Sequence, residues 1–297
     1  MINLKRVIGG KVPAGLDLLE DEEPTLEDIR SQLVTEGQFN SPLYLKWCNE
    51  MREKMRYHRK QWEFVYTLQA LDQAGLLRDG SRGLGFGVGN EPLPAVLAKY
   101  GCSILATEIN IESPHGAGWV SNTTVDQELD RLNDRRICDP DAFRSRVQYR
   151  DVDMNHVPED LAGFDFVWSC CSLEHLGSLD LASNFIFKSL ECLKPGGVAV
   201  HTTEYNVFPA VFTVTKGSTV FFRRKDILTL AERLLYAGHT LSINFHSGRG
   251  ALDRHIDFPP HSENKHLKLF VTKRGRMIVT TSIGLIIRKA QHDRTDS

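Results

Sequence analysis

Gly83-Leu84-Gly85-Phe86-Gly87-Val88-Gly89-Asn90-Glu91-Pro92, followed by the run Ile104-Leu105-Ala106-Thr107-Glu108, decides how the chain is read. Glycines at a strand-to-helix turn let the backbone come close to a ligand where any Cβ would collide. An acidic side chain ending the next strand, about 20 residues on, accepts the hydroxyl hydrogens of a ribose. A glycine-rich turn alone is ordinary structure in any α/β fold. Coupled to Glu108, it points to a nucleoside-containing cofactor. A dinucleotide site would carry G-x-G-x-x-G, and the place of its last glycine is Asn90; the spacing here is Gly85-x-Gly87-x-Gly89.

Outward from this turn, Val147 to Val152, Phe164 to Ser169 and Gly197 to Thr202 are further short apolar runs, separated by helix-length sequence. That alternation predicts a βαβ series with helices on both faces of a parallel sheet. Upstream, Ser41 to about Leu77 has helical spacing through Leu43, Trp47, Met51, Met55, Trp62 and Val65. Thr25-Leu26-Glu27-Asp28 resembles a short capped helix start. Downstream, Asp226 to Ala237 is amphipathic and stops at Gly238, and Thr240 to Phe245 is strand-like. Leu267 to Thr272 and Met277 to Ile287, joined at Lys273-Arg274-Gly275-Arg276, predict an antiparallel hairpin. The expected organisation is a leader and helical cap over 1–78, a cofactor-binding domain over 79–290 and a tail over 291–297.

The composition is that of a globular chain. Of 297 residues, 41% are hydrophobic and 25% charged, which excludes collagen-like and largely disordered classes. Thirty-six Lys and Arg against 38 Asp and Glu leave a net charge of −2, so nucleic acid is not the expected partner. No apolar run reaches the roughly 20 residues that cross a bilayer, and the first residues lack a signal-peptide apolar block. The six cysteines form no CxxC pair and read as buried thiols in a reducing cytoplasm.

The ordered set of motifs resembles the class I S-adenosylmethionine-dependent methyltransferases over about residues 79–289. Gly85, Phe86, Gly87 and Gly89 are similar to that family's first motif, and Glu108 with Ile109 to its ribose-binding acid. Asp153-Met154 resembles the segment holding the adenine, and Phe164 to Cys170, with Ser169 and Cys170 at its end, the fourth strand. Leu193-Lys194-Pro195-Gly196-Gly197 is similar to the turn before the fifth strand. The resemblance implies a doubly wound, mostly parallel seven-stranded sheet with an antiparallel strand from the C-terminal hairpin. It also implies S-adenosyl-L-methionine as cofactor. One departure is Gly83, which stands where the family usually has an acid.

Methyl transfer to a hydroxyl requires alignment of the acceptor and removal of its proton, by a base or by a metal. His175, beyond the fourth strand, has the right ordinary pKa for a base, although Glu174-His175 can equally cap the next helix. Glu174, His175, His201 and Glu204 form the candidate set for a divalent cation, in partial likeness to Glu-x-x-Glu-His enzymes, with Cys171 in place of the first acid. Tyr57 to Glu63 is a candidate lid. The loop carrying Asp253, Arg254, His255, Asp257, His261 and His266 is a candidate gate. The expected acceptor is a small molecule or saccharide. The alternatives are an RNA acceptor met by Arg131, Arg135, Arg136, Arg144 and Arg146, a nicotinamide-dependent oxidoreductase, and a non-catalytic relative.

Overall fold

A computed structural model describes residues 11–109, 125–208, 212–273 and 275–291. The expectations for residues 1–10, for Arg274 in the hairpin turn and for 292–297 in the tail lie outside the described residues. The chain begins with β1 (Asp17–Leu19), β2 (Ser31–Leu33), α1 (Glu36–Phe39), α2 (Pro42–Glu50) and α3 (Arg59–Gln73). The alternating part follows as β3 (Arg82–Phe86), α4 (Leu93–Lys99), β4 (Ser103–Glu108), α5 (Val125–Arg131), α6 (Pro140–Arg146), β5 (Val147–Asp151) and β6 (Phe164–Cys170). A single 3-10 turn (Leu173–His175) leads to α7 (Leu179–Glu191), β7 (Leu193–Asn206), α8 (Arg224–Tyr236) and β8 (Ser242–Asn244). The chain closes with α9 (Ala251–Arg254), β9 (Leu269–Lys273) and β10 (Arg276–Arg288).

One sheet results, in the order β1-β8-β2-β10-β7-β6-β3-β4-β5, with β9 on β10. The strands from β5 to β7 run parallel, and β10 is antiparallel to β7, β2 and β9. The expected doubly wound architecture is present, but among the described residues the sheet has ten strands rather than seven. The difference comes from the hairpin partner β9 and from the leader, whose strands β1 and β2 pair with β8. The leader is therefore part of the sheet and not only a cap outside it. Thr25 starts no helix; its hydroxyl accepts only the Asp28 N–H, 3.1 Å away. The long upstream helix is broken into α2 and α3 near Arg52, which has a positive φ of 54°.

The two sheet faces bury separate apolar clusters. Trp62, Val65 and Tyr66 of α3 and Leu93, Val96 and Leu97 of α4 pack with Phe166 and Trp168 on one face. Phe185 and Ile186 of α7 and Ile227, Leu230 and Leu234 of α8 pack with Leu84, Phe86 and Val167 on the other. A strand with consecutive apolar residues, such as Phe166-Val167-Trp168 of β6, is what double coverage requires.

Cross-strand register explains two of the glycines. Gly83 lies opposite Phe166 and Gly85 opposite Trp168, and a Cβ at either would overlap the facing aromatic ring. These positions are small so that β3 can accept large rings from β6. Overpacking a filled core costs about 1–3 kcal/mol. Gly85→Ala should lower the unfolding free energy in urea by at least that much, and a variant as stable as the parent would overturn the packing account.

Candidate functional site

The strand order reverses between β3 and β6, and crevices form at the carboxyl ends of strands at such a point. Here the ends of β3, β4 and β6 deliver the turn 87–90, Glu108 and the segment Cys170-Cys171-Ser172. Gly87 and Gly89 have positive φ of 61° and 47°, conformations that L side chains rarely adopt. A Cβ on Gly87 would overlap Ser172 Oγ and lie 3.4 Å from Met154 Sδ, whereas one on Gly89 would have nothing within 4 Å among the described residues. Among the described residues the turn is thus closed beneath Gly87 and open at Gly89. Glu108 Oε2 accepts the Gly89 N–H at 2.8 Å and Oε1 the Ile109 N–H at 2.9 Å. Burial raises the pKa of Glu108 against these two bonds.

The other residues expected at the cofactor divide into neighbours of this turn and residues of the core. Met154 is buried beside Gly87. Asp153 caps its own turn, accepting from Asn155 N at 2.8 Å and bonding His156 Nδ1 at 2.9 Å. Phe86 is fully buried, edge-on to Phe185 at 5.0 Å, so its side chain is a core group. Ser169 is fully buried and bonded to His201 Nδ1 at 2.8 Å, which removes its hydroxyl from the crevice. Gly85 serves the Trp168 ring, as described above.

Opposite the turn, α3 brings charged groups against the ends of β6, β7 and β10. Arg59 is buried and pairs with Glu204, with Ser282 Oγ at 3.2 Å and Glu63 at 3.8 Å. Glu63 accepts from Cys171 Sγ at 2.9 Å, Thr202 Oγ1 at 3.1 Å and Ser282 Oγ at 2.5 Å. Glu204 also accepts from Thr280 at 2.5 Å. Burial opposes the charges on Glu204 and Arg59. Arg59 with Lys60 nevertheless depresses the Glu204 pKa, while Glu204 leads the groups that raise that of Arg59. Glu174 accepts from Thr203 Oγ1 at 3.0 Å through Oε2, but its buried Oε1 has no hydrogen-bond partner among the described residues. Burial raises its pKa, partly offset by Lys60.

His175 stands at the rim of this cage, its Nδ1 2.8 Å from the Ser218 carbonyl and its Nε2 4.0 Å from Glu174 Oε1. A carbonyl only accepts, so Nδ1 carries a hydrogen.

His201 is a correction. Both its nitrogens are engaged by hydroxyls, Ser169 at 2.8 Å and Ser189 of α7 at 3.0 Å. It belongs neither to a catalytic set nor to a metal set with Glu174, His175 and Glu204. The cause is strand parity: three residues apart on β7, His201 and Glu204 point to opposite faces. Glu204 itself is an ion-pair partner of Arg59.

Two contributors escaped the sequence reading. Glu91 is buried and accepts from Trp168 Nε1. Burial raises its pKa well above the usual carboxylate range. The hydroxyls of Thr202, Thr203, Thr280 and Ser282 were signalled only as polar interruptions within apolar strands. Four of the five arginines considered for RNA are paired: Arg131 with Glu128, Arg135 with Glu53, Arg144 with Asp130 and Arg146 with Asp79.

No family model matches the sequence, and no curated protein matches it. Among solved structures, the chain is similar to magnesium protoporphyrin IX methyltransferase from Synechocystis PCC 6803 with bound SAH. The identity is 12% over 86% of this chain and 97% of that one, with a TM-score of 0.45. The CcbJ methyltransferase from Streptomyces caelestis shares 19% identity over 49% of this chain and 60% of that one, TM-score 0.33. An S-adenosylmethionine-dependent methyltransferase from Mesorhizobium loti shares 21% over 46% and 52%, TM-score 0.31. The chain thus spans less than two thirds of the length of several of these structures. Each is a partial likeness of shape at low identity.

Burial lowers the pKa of His201 from 6.5 to about 3. The unfolded chain takes up this proton first, so the stabilisation is complete above pH 6.5 and is lost as pH falls toward about 3. Each tenfold loss of proton affinity on folding is worth about 1.4 kcal/mol. Urea titrations at successive pH values should show a shallower loss for His201→Asn than for the parent between pH 6.5 and 4. Equal slopes would refute the assignment.

Proposed function

We propose that the protein is a methyltransferase that uses S-adenosyl-L-methionine to methylate a hydroxyl or amine of a small-molecule or saccharide acceptor. The observation that carries this reading is the Glu108 carboxylate bonded to the Gly89 N–H where the parallel sheet reverses. The space that the described residues leave at Gly89 and the positive φ at Gly87 and Gly89 suit a cofactor lying against backbone. In this reading Glu108 holds the ribose hydroxyls, and Met154, against Gly87, flanks the adenine with Asp153 fixing its turn. Ile109 closes the same end, and Cys170 borders the crevice.

The cofactor, when bound, supplies a methyl group already activated on a sulfonium. What remains for the protein is alignment, worth about 7–11 kcal/mol when two reactants are held in line, and removal of the acceptor proton. His175 Nε2 is the base: Ser218 fixes the ring tautomer, and Glu174, 4.0 Å away, lies where it can stabilise a charged ring. Arg59, Lys60 and Glu63 form the wall facing the acceptor, which gives the segment 57–63 its place beside the site. The paired arginines support a small acceptor over RNA. Among the described residues no helix is long and apolar enough to cross a membrane, and six free cysteines, five of them buried, support a reducing cytoplasm.

The test is mass spectrometry of the purified chain incubated with labelled methyl donor and pools of sugars, amino acids and phenols. A labelled product, with release of the demethylated cofactor, is expected. Binding of a nicotinamide nucleotide in place of the methyl donor would overturn the reading. Glu108→Ala should weaken cofactor affinity at least about ten-fold by calorimetry, since each 1.4 kcal/mol is ten-fold. His175→Ala should leave that affinity unchanged and slow turnover by about 100-fold or more; full activity would remove the base.

A further inference from the structure

The loop between α9 and β9 carries a second cluster that the proposed reaction does not use. Asp257 is tied to β9 through its backbone: its N–H donates to Lys268 O at 2.8 Å and its carbonyl accepts from Phe270 N at 2.9 Å. Its buried carboxylate Oδ2 accepts from Ser262 N and from His266 Nδ1, both at 2.9 Å, and lies 3.9 Å from His261 Nδ1. One ligand atom from each of Asp257, His261 and His266 lies within 4.8 Å of the others. His261 stands edge-on to His266 at 5.5 Å, and His58 stacks on the other ring at 4.4 Å.

We propose that Asp257, His261 and His266 bind a divalent transition-metal ion of the zinc type, with solvent completing the coordination. A tetrahedral ion with bonds of about 2.0–2.1 Å holds its ligand atoms about 3.3 Å apart, and the observed 2.9 and 3.9 Å bracket that spacing. The ion replaces the hydrogen between His266 Nδ1 and Asp257. The neutral ring carries its hydrogen on Nε2 instead, the tautomer that a metal bond through Nδ1 requires.

The charge balance also favours this cluster over the other one. One carboxylate and neutral imidazoles make a donor set with net attraction for a cation. Cys171, Glu174 and Glu204 are equally close to one another, but Arg59 already pairs with Glu204 and Lys60 stands beside Glu63. An ion entering there would meet two fixed cations. Arg59 is also near His266, but it spends its charge on Glu204.

The site has a structural consequence. His266 N–H donates to Tyr57 O at 3.0 Å and its carbonyl accepts the Arg59 N–H at 3.1 Å. An ion on His266 therefore clamps the loop to the start of α3, the helix that carries Arg59, Lys60 and Glu63 into the cage.

The test uses the full chain, stripped by a chelator and then dialysed against zinc chloride, with metal content and calorimetric affinity as readouts. One equivalent per chain is expected, with a rise in the thermal midpoint. His261→Ala should bind at least about ten-fold more weakly. Its metal-free midpoint should match the parent, because His261 is exposed. His266→Gln should bind as weakly, while Cys171→Ser should keep the full equivalent. No zinc retained by the parent chain would overturn the proposal. So would zinc lost in Cys171→Ser but kept in His261→Ala, which would put the ion in the other cluster.

Discussion

Arg59 pairs with Glu204 in the protein interior, and the placing of α3 against the sheet depends on that bond. Removing one partner of a buried pair leaves an uncompensated charge and costs about 3–5 kcal/mol. Glu204 is on β7, and the same guanidinium reaches Ser282 on β10, so a single side chain joins α3 to two strands of opposite direction. Glu63, one turn further along α3, adds bonds from Cys171, Thr202 and Ser282. The helix is thereby held across the strand ends by charge and hydroxyl groups, with Trp62 and Tyr66 of the same helix in the apolar core.

The two sides of the crevice are built by different physics. On the side of the glycine turn the backbone does the shaping: positive φ at Gly87 and Gly89 sets the turn, and Glu108 is anchored by two N–H groups. On the α3 side the shaping comes from buried side chains whose charges nearly balance, with Arg59 Nε and Glu174 Oε1 left without a hydrogen-bond partner among the described residues. Buried polar atoms are nearly always bonded, and Glu174 Oε1, 4.0 Å from His175 Nε2, departs from that rule among the described residues. The four glycines of the opening stretch divide along the same line. Gly83 and Gly85 make room for the rings of Phe166 and Trp168, and only Gly87 and Gly89 shape the crevice.

Where reading the residues in order went astray, the reason is geometric. His201 and Glu204 look like neighbours in sequence, but a strand alternates faces, and His201 is turned to the serines beneath the sheet. Ser169 and Phe86 sit in the right motifs with their side chains on the core side. Thr25 and Asp28 have the spacing of a helix cap without the helix, because the chain must turn there to enter β2. Strands β1 and β2 are three residues each, too short for an alternating pattern to announce them.

The sequence by itself determined the doubly wound sheet, the glycine turn, the acid at Glu108 and the closing hairpin, because these rest on local periodicity, backbone conformation and spacing along one chain. The tertiary structure alone decided that the leader enters the sheet, that Arg59 meets Glu204 across 145 positions, and that His58 of the leader stacks on His266 of the last loop. Those contacts join segments far apart in sequence. Their energy comes from burying charge and ring faces together, and no local pattern records which distant partner will share that burial.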